Sequence, residues 1–141
     1  MNAYELIKRH EGEVLHAYQD SEGFTTIGVG RLIDKRRGGG ISQAESEFLF
    51  DNDMKRCHAH AAQYPFFAEL NEPRQAVVLS MIFQLGPGGF GLFRQTIKAI
   101  KAGDYRKAAR EMKNSLWYAQ TPNRAQELSR MMETGHWPEG A

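Results

Sequence analysis

The stretch HEGEVLHAYQDSEGFTTIGVG, residues 10–30, decides how the rest of the chain is read. Just upstream, Ala3, Leu6, Ile7 and His10 fall on one helical face. Gly12 is a fitting stop for a helix ending on Glu11. A glutamate in the last turn of a helix meets the negative end of the helix dipole, which opposes its charge. An exposed residue at a frayed end has the same pattern, but the placement also suits a side chain kept for donating a proton. Val14 to Tyr18 reads as a short strand, and Asp20-Ser21-Glu22-Gly23 is turn chemistry. Phe24 to Gly30 then alternates, with Phe24, Thr26, Gly28 and Gly30 on one face and Thr25, Ile27 and Val29 on the other. A face of one hydroxyl and two glycines is poor core material, and glycine in a strand marks close approach of a ligand or another backbone. The spacing therefore predicts a bare floor beside Thr26, with Asp20 at the turn and Glu11 just before it.

Around this stretch the chain has the make-up of one ordinary domain. Its 141 residues are 41% hydrophobic and 25% charged. A chain of that length buries about 70% of the surface its unfolded form exposes. The formal charge of +1 gives no bulk electrostatic case for nucleic acid or membranes. A single cysteine, Cys57, excludes an internal disulfide. No apolar run reaches membrane-spanning length, and Met1 leads into a polar helix rather than a signal peptide. No stable membrane insertion is expected.

Farther along, Arg31 to Gly40 is charged and glycine-rich and reads as a mobile loop. Ser42 and Glu45 form the S-x-x-E box that opens a helix, with helical pattern to about Gln63. Its intermittent apolar stripe (Ala44, Phe48, Met54) suits a strut joining two lobes. His58 and His60 lie two apart, point different ways on a helix and read as surface residues, so no metal is expected. Asn71 and Pro73 open the next helix and Gly86-Pro87 closes it. Its interior, Ala76 to Phe83, is apolar nearly all round and should be the buried centre of the larger lobe, with Phe83 a core aromatic. Gly86 to Gly91 reads as a flexible turn. Helices follow over about 93–101, 105–114 and 122–133, with Asp104, Thr121 and Gly135 as boundary residues and Trp137 folding back. Between Arg94 and Arg130 nine basic residues stand against three acidic ones. They read first as solvated helix faces and second as an attraction toward an anionic surface.

Two carboxylates flanking a floor suited to a flat ring is the arrangement glycoside hydrolysis requires. Three blocks carry this further: Glu11-Gly12 with Asp20 and Thr25-Thr26-Ile27-Gly28-Val29-Gly30; Met81-Ile82-Phe83-Gln84-Leu85-Gly86; and Trp117-Tyr118-Ala119-Gln120-Thr121-Pro122-Asn123-Arg124-Ala125. In that order they closely resemble the phage-type lysozymes related to the T-even phage enzyme, glycoside hydrolase family 24. The resemblance implies an α+β, mainly α, two-lobed fold. A small hairpin lobe (about 12–50) would be joined by a long helix (about 42–63) to a helical lobe (about 1–11 plus 64–141), with the glycan between lobes. It implies a muramidase that hydrolyses the β-1,4 bond between N-acetylmuramic acid and N-acetylglucosamine of bacterial peptidoglycan. Glu11 would be the general acid, with Asp20 and Thr26 positioning water or stabilising the transition state. Leu32, Phe83 and Thr96 match substrate contacts, Thr96 replacing a serine. Gln84, Asn123 and Arg124 match supporting residues, Arg124 as an ion-pair partner of Glu11. Arg31 stands where relatives carry histidine, Glu111 where the T-even enzyme has asparagine, and the small lobe is trimmed. No cofactor is implied. The expected setting is a monomer made in the host cytoplasm, dependent on a holin for access to the wall. A chitinase-like glycosidase, a catalytically weak murein-binding protein and a membrane-permeabilising basic region are the competing readings.

Overall fold

The computed structural model describes residues 1–140 and is α+β, mainly α, as expected. In order it runs α1 (Ala3–Glu11), β1 (Val14–Gln19), β2 (Thr25–Gly28), β3 (Arg31–Leu32), α2 (Gln43–Ala61), a 3-10 turn (Phe67–Glu69), α3 (Glu72–Gly91), α4 (Arg94–Lys101), α5 (Tyr105–Lys113), α6 (Leu116–Gln120) and α7 (Pro122–Thr134). The chain divides into two compact units, Met1–Leu49 and Phe50–Ala141. Helix α1 falls in the first; its place in the helical lobe rests on the resemblance alone.

In the first unit, α1 opens with a box the sequence reading passed over. Asn2 Oδ1 accepts from the Glu5 N–H, and Glu5 accepts from the Asn2 N–H. Gly12 ends the helix at φ 74°, its N–H bonded to the Lys8 carbonyl. The sheet is antiparallel in the order β1-β2-β3, with Tyr18 opposite Thr26 and Thr26 opposite Leu32. The strand expected over Phe24–Gly30 is shorter, spanning Thr25–Gly28. Gly28 and Gly30 have φ of 69° and 61°, a backbone that only glycine adopts freely, and they turn β2 into β3 around Val29. The segment after Gly30 is likewise not a plain loop. It contributes β3, and the Arg36 guanidinium lies 3.1 Å over the Phe24 ring.

The capping box of α2 is made as expected: the Glu45 N–H donates to Ser42 Oγ and the Ser42 N–H donates to Glu45 Oε1. Arg31 Nη1 also reaches Glu45 Oε2, at 2.6 Å. The Ser42 N–H first, and the Arg31 guanidinium second, hold the Glu45 carboxyl below its ordinary value of 4.5. A depressed carboxylate stabilises the fold above its unfolded-state value, and that contribution is lost as pH falls through the lower folded-state value. Glu45→Gln should therefore lower stability near neutral pH and reduce the further loss on acidification below 4.5. Urea unfolding of both proteins across acid pH checks this; parallel pH profiles would remove Glu45 from the account.

The second unit holds the core. Val77, Val78, Met81 and Ile82 of α3 are buried, joined by Phe90, Ile97, Ile100, Met112, Trp117, Leu128 and Met132. Helix α3 is broken at Gly86 (φ 77°, ψ 164°), where the stop was expected, but 87–91 resumes helical structure instead of forming a loose turn. Asn71 and Arg74 then close α7 from a distance. Arg74 Nε donates to the Met132 carbonyl at 2.8 Å, Asn71 Nδ2 donates to the Gly135 carbonyl at 3.0 Å, and the Arg74 guanidinium covers the Tyr105 ring. Gly135 is left-handed as expected. No single helix among the described residues is long and apolar enough to cross a membrane.

Candidate active site

Glu11 is the last residue of α1 and is exposed. Lys8, Arg9 and His10 share its turn, so cations meet the negative end of the dipole beside it. Its carboxylate rests against the backbone of Gly30, nineteen positions on, in the β2–β3 turn.

Asp20 is held by the turn it opens. Its Oδ1 accepts from the Glu22 N–H at 2.9 Å and the Phe24 N–H at 2.8 Å. The turn therefore uses one carboxylate oxygen and leaves Oδ2 unused. The Phe24 carbonyl accepts both the Asp20 N–H and the Thr26 hydroxyl, each at 2.9 Å. Asp20 and Thr26 are thus tied through one carbonyl, a link with no sign in residue spacing. Thr26 itself is only 4% exposed, so the bare floor beside it is corrected: the sheet buries this side chain. Leu32 pairs across from Thr26 and is half-buried.

In the second unit, Gln84 Oε1 accepts the indole N–H of Trp117 at 2.9 Å. Phe83 is not a core aromatic: it is 45% exposed and meets Phe50 edge-on. Thr96 is buried. At 1% exposure it belongs to the buried face of α4 with Ala99 and Ile100. It stands at the wall of a cavity of about 520 Å³ that Glu111 and Trp117 also line. Asn123 is exposed and borders a different cavity, with Arg130 and Trp137. Arg124 Nη2 donates to Ser80 Oγ at 3.0 Å and, more weakly, to the Ser80 carbonyl at 3.4 Å. Ser80 carries no role in the sequence reading above; its place one turn before Gln84 on α3 is the signal by which it could have been found.

The first unit therefore offers an exposed carboxyl that is able to give or take a proton, and a second carboxylate fixed by backbone donors with one oxygen to spare. Comparison with known proteins identifies the family. The family model described as phage lysozyme matches residues 8–131. Probable T4-type lysozyme 1 of Dictyostelium discoideum is 31% identical, over 93% of this chain and 93% of its own length. The pre-baseplate central spike protein Gp5 of Enterobacteria phage T4 is 32% identical over 96% of this chain, which corresponds to 28% of Gp5. An endolysin of Salmonella phage P22 is 30% identical over 77% of this chain and 76% of its own. With a match across the sheet, the central helix and most of α7, this chain belongs to the phage lysozyme family.

Proposed function

We propose that the chain hydrolyses the β-1,4 bond between N-acetylmuramic acid and N-acetylglucosamine in bacterial peptidoglycan. Membership of the family makes it a lysozyme-type glycoside hydrolase that acts in cell lysis; the bond and the residues are our reading. Glu11 protonates the leaving oxygen. Asp20 uses its spare oxygen to orient a water or to face the positive charge that develops on the sugar. Thr26 holds the carbonyl that positions Asp20. The observation that carries this is the pair of backbone donors on Asp20 Oδ1, which fix the orientation of one carboxylate beside a turn, while Glu11 is an exposed carboxyl at the end of α1. Mass spectrometry of digested peptidoglycan tests it by identifying both the bond cut and the product ends. Fragments ending in reducing N-acetylglucosamine, or no cleavage of the glycan, would overturn the reading.

The relation to a protein named endolysin supports synthesis inside a bacterial host, and in this reading a separate membrane-opening protein of the holin kind gives access to the wall. Expression alone should then leave cells intact until the membrane is permeabilised. Prompt lysis with the membrane still sealed would defeat that dependence.

A further inference from the structure

Gly30 stands out among the positive-φ glycines of the first unit. A Cβ added there would lie 2.7 Å from Glu11 Oε2, 3.1 Å from its Cδ and 3.4 Å from its Cγ. Gly12, Gly28, Gly38 and Gly40 also have positive φ, yet a Cβ at any of them would meet nothing within 4 Å. The positive φ at Gly30, 61°, already favours glycine; the carboxyl resting on its α-carbon is a second, independent reason for the missing side chain. Within Met1–Leu49, this contact bounds where the carboxyl reaches.

We propose that Gly30 is a positioning residue for Glu11: its bare α-carbon is the surface that sets where the acid delivers its proton. This rests on the reading of Glu11 as general acid. The atom a Cβ would strike is the far end of a flexible side chain. Glu11 escapes by rotating about its own bonds, at little expense to the fold. The loss falls on catalysis instead, since a misplacement of about 1 Å at a reacting group lowers rate by about 100-fold. A methyl group at Gly30 should thus separate stability from turnover.

The test compares Gly30→Ala with Gly38→Ala, which has a similar positive-φ backbone and an open surround, and with Glu11→Gln, on soluble uncrosslinked glycan strands. Both alanine variants should lose similar thermal stability. Gly30→Ala should lose about 100-fold in kcat with KM little changed, and the alkaline limb of its pH–rate profile should flatten as it does in Glu11→Gln. Gly38→Ala should keep the parent kcat and profile. If Glu11→Gln is inactive but Gly30→Ala works as well as Gly38→Ala, the positioning role is overturned and the acid stands. If Glu11→Gln stays active, the assignment of the acid itself fails. Should Gly30→Ala not fold, adding Glu11→Ala decides: recovery of the fold upholds the contact, and continued unfolding overturns it.

Discussion

Glu11→Gln is expected to lower murein hydrolysis by at least two orders of magnitude and leave the fold intact. The amide has the shape of the carboxylate, so it fills the same space against Gly30, and it removes the only proton that side chain is able to give. General acid catalysis contributes about 10²–10⁴-fold, which sets the scale. The fold does not depend on the charge. Glu11 is exposed at the end of α1, where the helix dipole opposes a negative group, and Lys8, Arg9 and His10 in the same turn then supply the favourable sign without it. Melting temperature at neutral pH should stay level or rise slightly, and affinity for glycan should survive. Turbidity loss of cell walls, glycan affinity and melting temperature, measured on one preparation, check all three. Near-normal hydrolysis would take Glu11 out of the mechanism, whereas activity lost together with the fold would mean that α1 needs the charge.

What was legible in the sequence was local. The Ser42–Glu45 box, the Asn71 and Asp104 caps and the Gly86 break each depend on residues a few positions apart, and each was read correctly. The β-hairpin was found, but its second strand was drawn too long. Alternation continues through Gly28 and Gly30, and nothing in a period of two distinguishes a strand glycine from a turn glycine with positive φ. The same error placed Thr26 on an open face. Thr96 lies with Ala99 and Ile100 on the buried stripe of α4, a placement that a helical period alone would show. The site itself was legible as residue types and order. Its couplings were not, because Glu11 to Gly30, Arg36 to Phe24 and Arg124 to Ser80 are made by tertiary folding between distant positions.

Helix α6 was absent from the sequence reading for a related reason, and its anchor yields the largest expected effect on stability. Five residues are too few for a helical period to register and too few to hold a helix in water. Leu116–Gln120 is held instead by a cap and by burial: Ser115 Oγ accepts from the Tyr118 N–H, and Trp117 is 5% exposed. The Trp117 ring meets Phe93 edge-on at 5.7 Å between centroids, and its N–H is satisfied by Gln84 Oε1. One side chain thus ties α6 to α3 and to the start of α4. Trp117→Ala removes the ring and leaves a cavity, a change that costs about 3–5 kcal/mol. For a chain of this size that is a fall of roughly 10–20 °C in melting temperature. Gln84→Leu keeps the ring but strands its N–H, which costs about 1–3 kcal/mol. Because the two side chains share one bond, the double variant should be less destabilised than the sum of the singles. Urea unfolding of the four proteins measures the cycle. Additive losses would show that the Gln84–Trp117 bond contributes nothing, and a small loss for Trp117→Ala would show that α6 is held by other contacts.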